Sequence, residues 1–124
     1  MNHKKQTMYL FIECWKAKQE WFDLSTENRA AYMSELGKGI TGLLEAGVEI
    51  VSWGINSDDI SNRSKYDYFG VWKFPDRNFA KQFELIIEQS GWYNYFDQVN
   101  LGGEICMPDI PIGHMIGLKE LVVK

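Results

Sequence analysis

Two glutamates, Glu13 in YLFIECW and Glu104 in LGGEIC, stand inside otherwise apolar, strand-like runs. Carboxylates brought together in an apolar cavity repel each other and lose hydration, which raises at least one pKa and yields a general acid or base. The plainer alternative is that each pairs with a lysine, an arginine or a tryptophan N–H at the edge of the fold. His114, in PIGHMIGL, is the third candidate for proton transfer. An imidazole in apolar surroundings can enter a cavity and act near neutral pH, or can hydrogen-bond to backbone and do nothing more.

Other chemistries have no basis in the residues. His3 and His114 make no ligand spacing, and HxxxH, HExxH and CxxC are absent, so no metal is expected. Cys14 and Cys106 lack a CxxC partner or a basic cluster and read as buried free thiols. GxGxxG, GxxxxGK[ST] and GxSxG do not occur, and GKGITG falls within a helical stretch rather than after a strand. No cofactor is expected on these grounds.

The totals narrow the class further. The net charge is -4, and the 13 Lys and Arg form no run longer than Lys4-Lys5, which disfavours nucleic acid and anionic membranes as partners. With 124 residues, 45% hydrophobic and 24% charged, the chain is expected to form one globular domain over 1–124. No apolar run approaches the roughly 20 residues that span a bilayer. The N-terminus, MNHKKQT, leads directly into a strand-like run without an apolar leader, so a cytoplasmic protein is expected.

The elements that must position these side chains follow from periodicity and punctuation. TMYLFIECW (Thr7 to Trp15) reads as a first strand and KAKQEWFDL as a loop. Ser25 then caps a helix with an apolar stripe through Ala30, Met33, Leu36, Ile40 and Leu44, ended by Gly47. Gly37, Gly39 and Gly42 inside it suggest close approach to the sheet or a second helix. VEIVSWGIN (Val48 to Asn56) and YDYFGVWKF (Tyr66 to Phe74) read as strands two and three, with a polar connection between them. Asp76 caps a second helix with Phe79, Phe83, Ile86 and Ile87 on its apolar face, stopped by Gly91. The aromatic cluster WYNYF (Trp92 to Phe96) clamps that helix to strand four, QVNLGGEIC (Gln98 to Cys106). The order is βαββαβ, a ferredoxin-like α+β arrangement with a four-stranded antiparallel sheet and the helices on one side.

Alternation divides each strand between two faces. The aliphatic set Leu10, Ile12, Val71, Val99 and Leu101 suits helix packing. The other set holds Tyr9, Phe11, Glu13, Trp15, Val51, Trp53, Tyr68, Trp72 and Glu104, too apolar to be left in water. The expectation is that a second copy covers this aromatic face, closing a homodimeric barrel around a shared interior, or that the C-terminal tail does so.

W-F-D-L-S-x-E-x-R (Trp21 to Arg29), Trp72 in the third strand and W-Y-x-Y-F (Trp92 to Phe96) resemble the darcynin-type proteins of the dimeric α+β barrel superfamily. The resemblance covers roughly residues 7–106, and the tail MPDIPIGHMIGLKELVVK departs from it. That superfamily includes cofactor-independent monooxygenases, lactone isomerases and haem-handling enzymes, so the resemblance implies a fold and not one activity. Its haem-degrading members carry a histidine on the second helix, whereas DRNFAKQFELIIEQS has none. Three functions stay open: a cavity in which Phe11, Trp15, Trp53, Tyr68 and Trp72 bind a small apolar or aromatic molecule, the same cavity with Glu13, Glu104 or His114 as catalyst, or a filled, purely structural interior.

Overall fold

The computed structural model describes residues 7–120. In chain order the elements are β1 (Tyr9–Ala17), α1 (Gln19–Phe22), α2 (Thr26–Glu45), β2 (Glu49–Ile55), β3 (Tyr68–Phe74), α3 (Arg77–Gln89), α4 (Trp92–Tyr95), β4 (Phe96–Glu104) and α5 (Asp109–Ile116). The four strands form one sheet in the order β2-β3-β1-β4, with every neighbouring pair antiparallel. This is the ferredoxin-like α+β fold expected from the element order.

Local chemistry explains the boundaries. The Ser25 hydroxyl accepts from the Asn28 N–H and starts α2, and the Asp76 carboxylate accepts from the Phe79 N–H and starts α3. At the end of α2, Gly47 takes a φ of 107°, its N–H bonds to the Leu44 carbonyl, and the Val48 N–H bonds to the Leu43 carbonyl. That closing pair satisfies carbonyls the helix leaves open. Gly91, at φ 82°, ends α3 the same way in left-handed geometry. The segment read as a loop after β1 contains α1, and α4 occupies the aromatic cluster between α3 and β4.

The expected assignment of the two sheet faces is reversed. Phe11, Trp15, Trp72 and Phe74 lie beneath the helices, packed with Leu36, Ile40 and Leu43 of α2 and Ala80, Phe83 and Ile87 of α3. Phe83 reaches Phe11 at 5.8 Å between ring centroids and Trp72 at 4.6 Å. The aliphatic face is the open one, with Val99 and Leu101 at the surface and Leu10, Ile12 and Val71 half-buried. Area decides this: each ring hides about 150–250 Å². At roughly 25 cal/mol per Å², covering the ring-bearing face removes more apolar surface from water than covering the aliphatic one.

Two smaller expectations are also corrected. Gly37 and Gly42 face open space, and a Cβ on Gly39 would meet Ile86 at an ordinary 3.8 Å, so close approach does not account for these glycines. Cys106 is exposed and Cys14 half-buried on the open face, both free. Among the described residues the tail leaves the sheet open: no residue of α5 is buried, and Val99 and Leu101 are exposed.

Because Gly37 and Gly42 are exposed on a regular helix, Gly37→Ala with Gly42→Ala is expected to stabilise the fold by roughly 1–2 kcal/mol in total. Urea unfolding followed by circular dichroism measures it. A lower midpoint in the double variant would show that α2 needs glycine there.

Candidate functional site

Alternation along β1 sends Phe11, Glu13 and Trp15 toward the helices, and Glu13 is left only 3% exposed. Such a carboxylate must be hydrogen-bonded. Trp72 Nε1 of β3 donates to Glu13 Oε1 at 2.7 Å, and Gln98 Nε2 of β4 donates to Glu13 Oε2 at 2.8 Å. Gln98 Oε1 in turn accepts from Trp92 Nε1 of α4 at 2.7 Å, and Gln98 Nε2 also donates to Asn100 Oδ1. Since an indole N–H can only donate, Trp92 fixes which way the Gln98 amide points. Burial raises the Glu13 pKa from 4.5 to about 7, opposed by the bonds from Gln98 and Trp72.

Beside this network, at the end of the sheet formed by Trp15, Trp53 and Tyr68, lies a cavity of about 560 Å³. Its floor is aromatic: Trp15 packs edge-on to Trp53 at 4.9 Å and stacks with Tyr68 at 5.9 Å. Gly70 makes this floor possible, because a Cβ there would lie 2.8 Å from Trp53 Nε1. Trp92 and Phe96 close one side, their centroids 4.2 Å apart. Trp21 and Phe22 of α1 and Arg29 and Met33 of α2 form the roof, and Asp67 stands at the edge. Arg29 holds the roof in place: its Nε donates to the Trp21 carbonyl at 3.0 Å and its Nη2 to the Phe22 carbonyl at 3.2 Å.

Of the residues singled out from the sequence, Trp15, Trp53 and Tyr68 line this cavity. Phe11 and Trp72 do not; they are buried in the core beside it. Glu13 sits in the network rather than on the cavity wall. Glu104 shares the face of Glu13, as expected, but pairs with Tyr9, four residues along the strand and about 13 Å away. It is exposed and out of reach of Glu13. His114 lies exposed on α5 and lines no part of the cavity. His3 lies outside the described residues.

Sequence reasoning missed the roof. Arg29, noted from the sequence only as the end of the Trp21 to Arg29 stretch, ties α1 to α2 and lies over the Trp21 ring at 5.7 Å. The available signal was the stretch Trp21 to Arg29, whose first and last members are these partners. Trp92 and Phe96, read as a clamp between helix and strand, perform that clamp and wall the cavity as well.

The donor set argues against one prosthetic group. Among the described residues no histidine or cysteine lines the cavity, and α3 carries none, so these residues do not fit a haem held by imidazole or thiolate. Among the described residues no group of three or more His, Cys, Asp and Glu could hold a metal ion. Among them, too, no helix is long and apolar enough to cross a membrane.

Residues 8–118 match the model of a family of unknown function, DUF6616. The chain belongs to that family. No curated protein matches it in sequence. Solved structures of similar fold include a variant of the chlorite dismutase from Candidatus Nitrospira defluvii, with TM-score 0.64 and 15% identity over 86% of this chain. The same enzyme in complex with imidazole gives TM-score 0.64 and 14% identity over 90% of this chain. At such identity the likeness concerns the fold alone. The DUF6616 chain spans 43% and 44% of those two chains, less than half of each.

The raised Glu13 pKa has a signed consequence. Between 4.5 and about 7 the folded chain keeps a proton that the unfolded chain releases, so this group's contribution is full below that window and declines as pH rises through it. The full decline is about 3 kcal/mol. Glu13→Gln should remove the slope, although the amide lowers stability at every pH by facing an N–H donor with another. Unfolding free energies at about pH 5 and about pH 8 test this, and parallel profiles for the two proteins would contradict it. Separately, Gly70→Ala is expected to displace Trp53, seen as a red-shifted and more quenchable tryptophan emission; an unchanged spectrum would contradict the packing of that ring on Gly70.

Proposed function

We propose that this protein is a homodimeric binder of a small apolar or aromatic molecule, held in the cavity between the sheet and the helices. The carrying observation is the cavity itself: about 560 Å³, walled by Trp15, Trp53, Tyr68, Trp92 and Phe96. Its size lies within the range of small-molecule sites, and flat rings on several sides favour a planar guest. The rings are held by packing and by the Glu13 network, so little ordering accompanies binding.

The homodimer rests on two apolar surfaces without a partner among the described residues. The open sheet face presents Val99, Leu101 and Ile105, and α5 presents Ile110, Ile112, Met115 and Ile116, all exposed. A second copy supplies cover for both, the commonest arrangement being isologous. The open face is therefore assigned to the partner and the aromatic face to the ligand. We read residues 1–124 as one domain acting in the cytoplasm, where the free Cys14 and Cys106 stay reduced. The likeness of the Trp21 to Arg29 and Trp92 to Phe96 stretches to darcynin-type proteins belongs to this reading, since both stretches contribute to the cavity.

A second reading, a cofactor-independent monooxygenase or isomerase, is favoured by one feature: burial pushes the Glu13 carboxyl up to about 7, a range that suits a general base. Both of its oxygens are already engaged and it does not line the cavity. In that reading a second copy would have to bring Glu104 or His114 to the cavity. Binding without turnover needs neither condition.

Indole as a probe tests the binding site by thermal shift. At about ten times its dissociation constant it should raise the wild-type Tm by roughly 4–6 °C, and Trp53→Ala should abolish the rise. No shift in the wild type, or an equal shift in both, would contradict the assignment. For the dimer, light scattering at micromolar concentration should give twice the chain mass, and Leu101→Glu, at a site 66% exposed, should give a folded monomer. A wild-type monomer would refute it.

A further inference from the structure

We infer that the molecule taken by this cavity is a small aromatic acid whose carboxylate is held by Arg29. The inference rests on the binding reading above and names the class of ligand.

Arg29 reaches the cavity from the first turns of α2 and is half-buried there. A guanidinium carries five N–H groups, and the two hydrogen bonds to the Trp21 and Phe22 carbonyls occupy two of them. Those bonds and the Trp21 ring at 5.7 Å fix the plane of the group, so the remaining N–H groups form a pre-set fork. Holding α1 in place requires donors but no net charge. The charge is left over.

The acid and the base at the cavity are not in the same condition. Asp67, the acidic residue of the lining, has Arg63 Nη2 at 3.8 Å, a cation it shares with Asp58 at 3.7 Å. Arg63 is itself anchored by bonds to the carbonyls of Ser57, Ser64 and Asn56. Among the described residues, by contrast, no carboxylate lies within ion-pair distance of Arg29. A cation without a counter-ion, set against apolar rings, attracts an anion more strongly than it would in water. The aromatic floor takes the flat body of the guest and Arg29 its carboxylate. A cationic guest on Asp67 would have to compete there with Arg63, which already stands beside that carboxylate.

The test compares two probes of one shape, 2-naphthoate and 2-naphthamide, by quenching of tryptophan emission. The wild type should bind 2-naphthoate roughly ten- to a hundredfold more tightly than 2-naphthamide. In Arg29→Gln the ratio of the two affinities should fall to about one, whatever loss of the roof bonds does to both; in Arg29→Lys, which keeps the charge but not the fork, part of the preference should return. Equal binding of the two probes by the wild type would overturn the acid class while leaving the cavity as a binding site. Absence of binding by either probe would overturn both. A preference that persists in Arg29→Gln would show that another group recognises the carboxylate, and would overturn the role of Arg29. Should the glutamine variant fail to fold, the wild-type comparison and the lysine variant decide the matter.

Discussion

A carboxylate buried between a sheet and its helices needs donors on both oxygens, and the donors that Glu13 finds organise everything around it. Trp72 comes from β3 and Gln98 from β4, so one side chain of the central strand β1 locks both neighbours in rotation as well as register. Gln98 passes the constraint to Trp92, which belongs to α4 and stands in the cavity wall. A chain of hydrogen bonds with fixed direction thus runs from the centre of the sheet to the edge of the candidate site. Removing one member leaves another buried group unpaired, which is more damaging than the loss of a single bond.

The cavity is a consequence of this arrangement. All five tryptophans lie close to it or to the network: Trp72 meets Trp53, Trp53 meets Trp15, Trp15 meets Trp92, and Trp92 connects through Phe96 to Trp21. The sheet supplies the floor, α4 the side, and α1 the roof, pinned by Arg29. Large rings cannot fill such a corner without leaving space, and the space left is of ligand size. The same rings account for the heavy use of aromatic residues in WYNYF, since Tyr95 also packs against Trp21 and Tyr32.

Much of the fold was legible in the amino-acid order, and the reasons are local. Ser25, Asp76, Gly47 and Gly91 mark helix ends by their own chemistry, and each element between them falls within two residues of its expected start. The orientation of the sheet was not legible. Alternation separates two faces but does not say which one the helices cover, and here both faces are apolar. The bulge at Val51, between the pairs Ile50 with Trp72 and Ser52 with Val71, blurs the alternation in β2 further. Trp15, Trp53 and Tyr68 were singled out because rings are informative about burial, but for a cavity on the helix-free face rather than the one they line here. Arg29 was not, because an arginine near Glu27 at a helix start has an ordinary explanation in a surface ion pair, which sequence alone does not displace. The open position of Glu104 depends on strand register, which no single residue encodes.

The account turns on the aromatic face lying under the helices with Trp53, beside Tyr68 at its open end, as the tryptophan left reachable from solvent. The most direct measurement is fluorine NMR of the protein labelled with 5-fluorotryptophan, recorded with and without a soluble paramagnetic agent. The resonances of Trp15, Trp72 and Trp92, each no more than 5% exposed, should stay sharp, while that of Trp53, 47% exposed, should broaden. Broadening of Trp15 and Trp72 to the same degree as Trp53 would place the aromatic face in water and contradict the account.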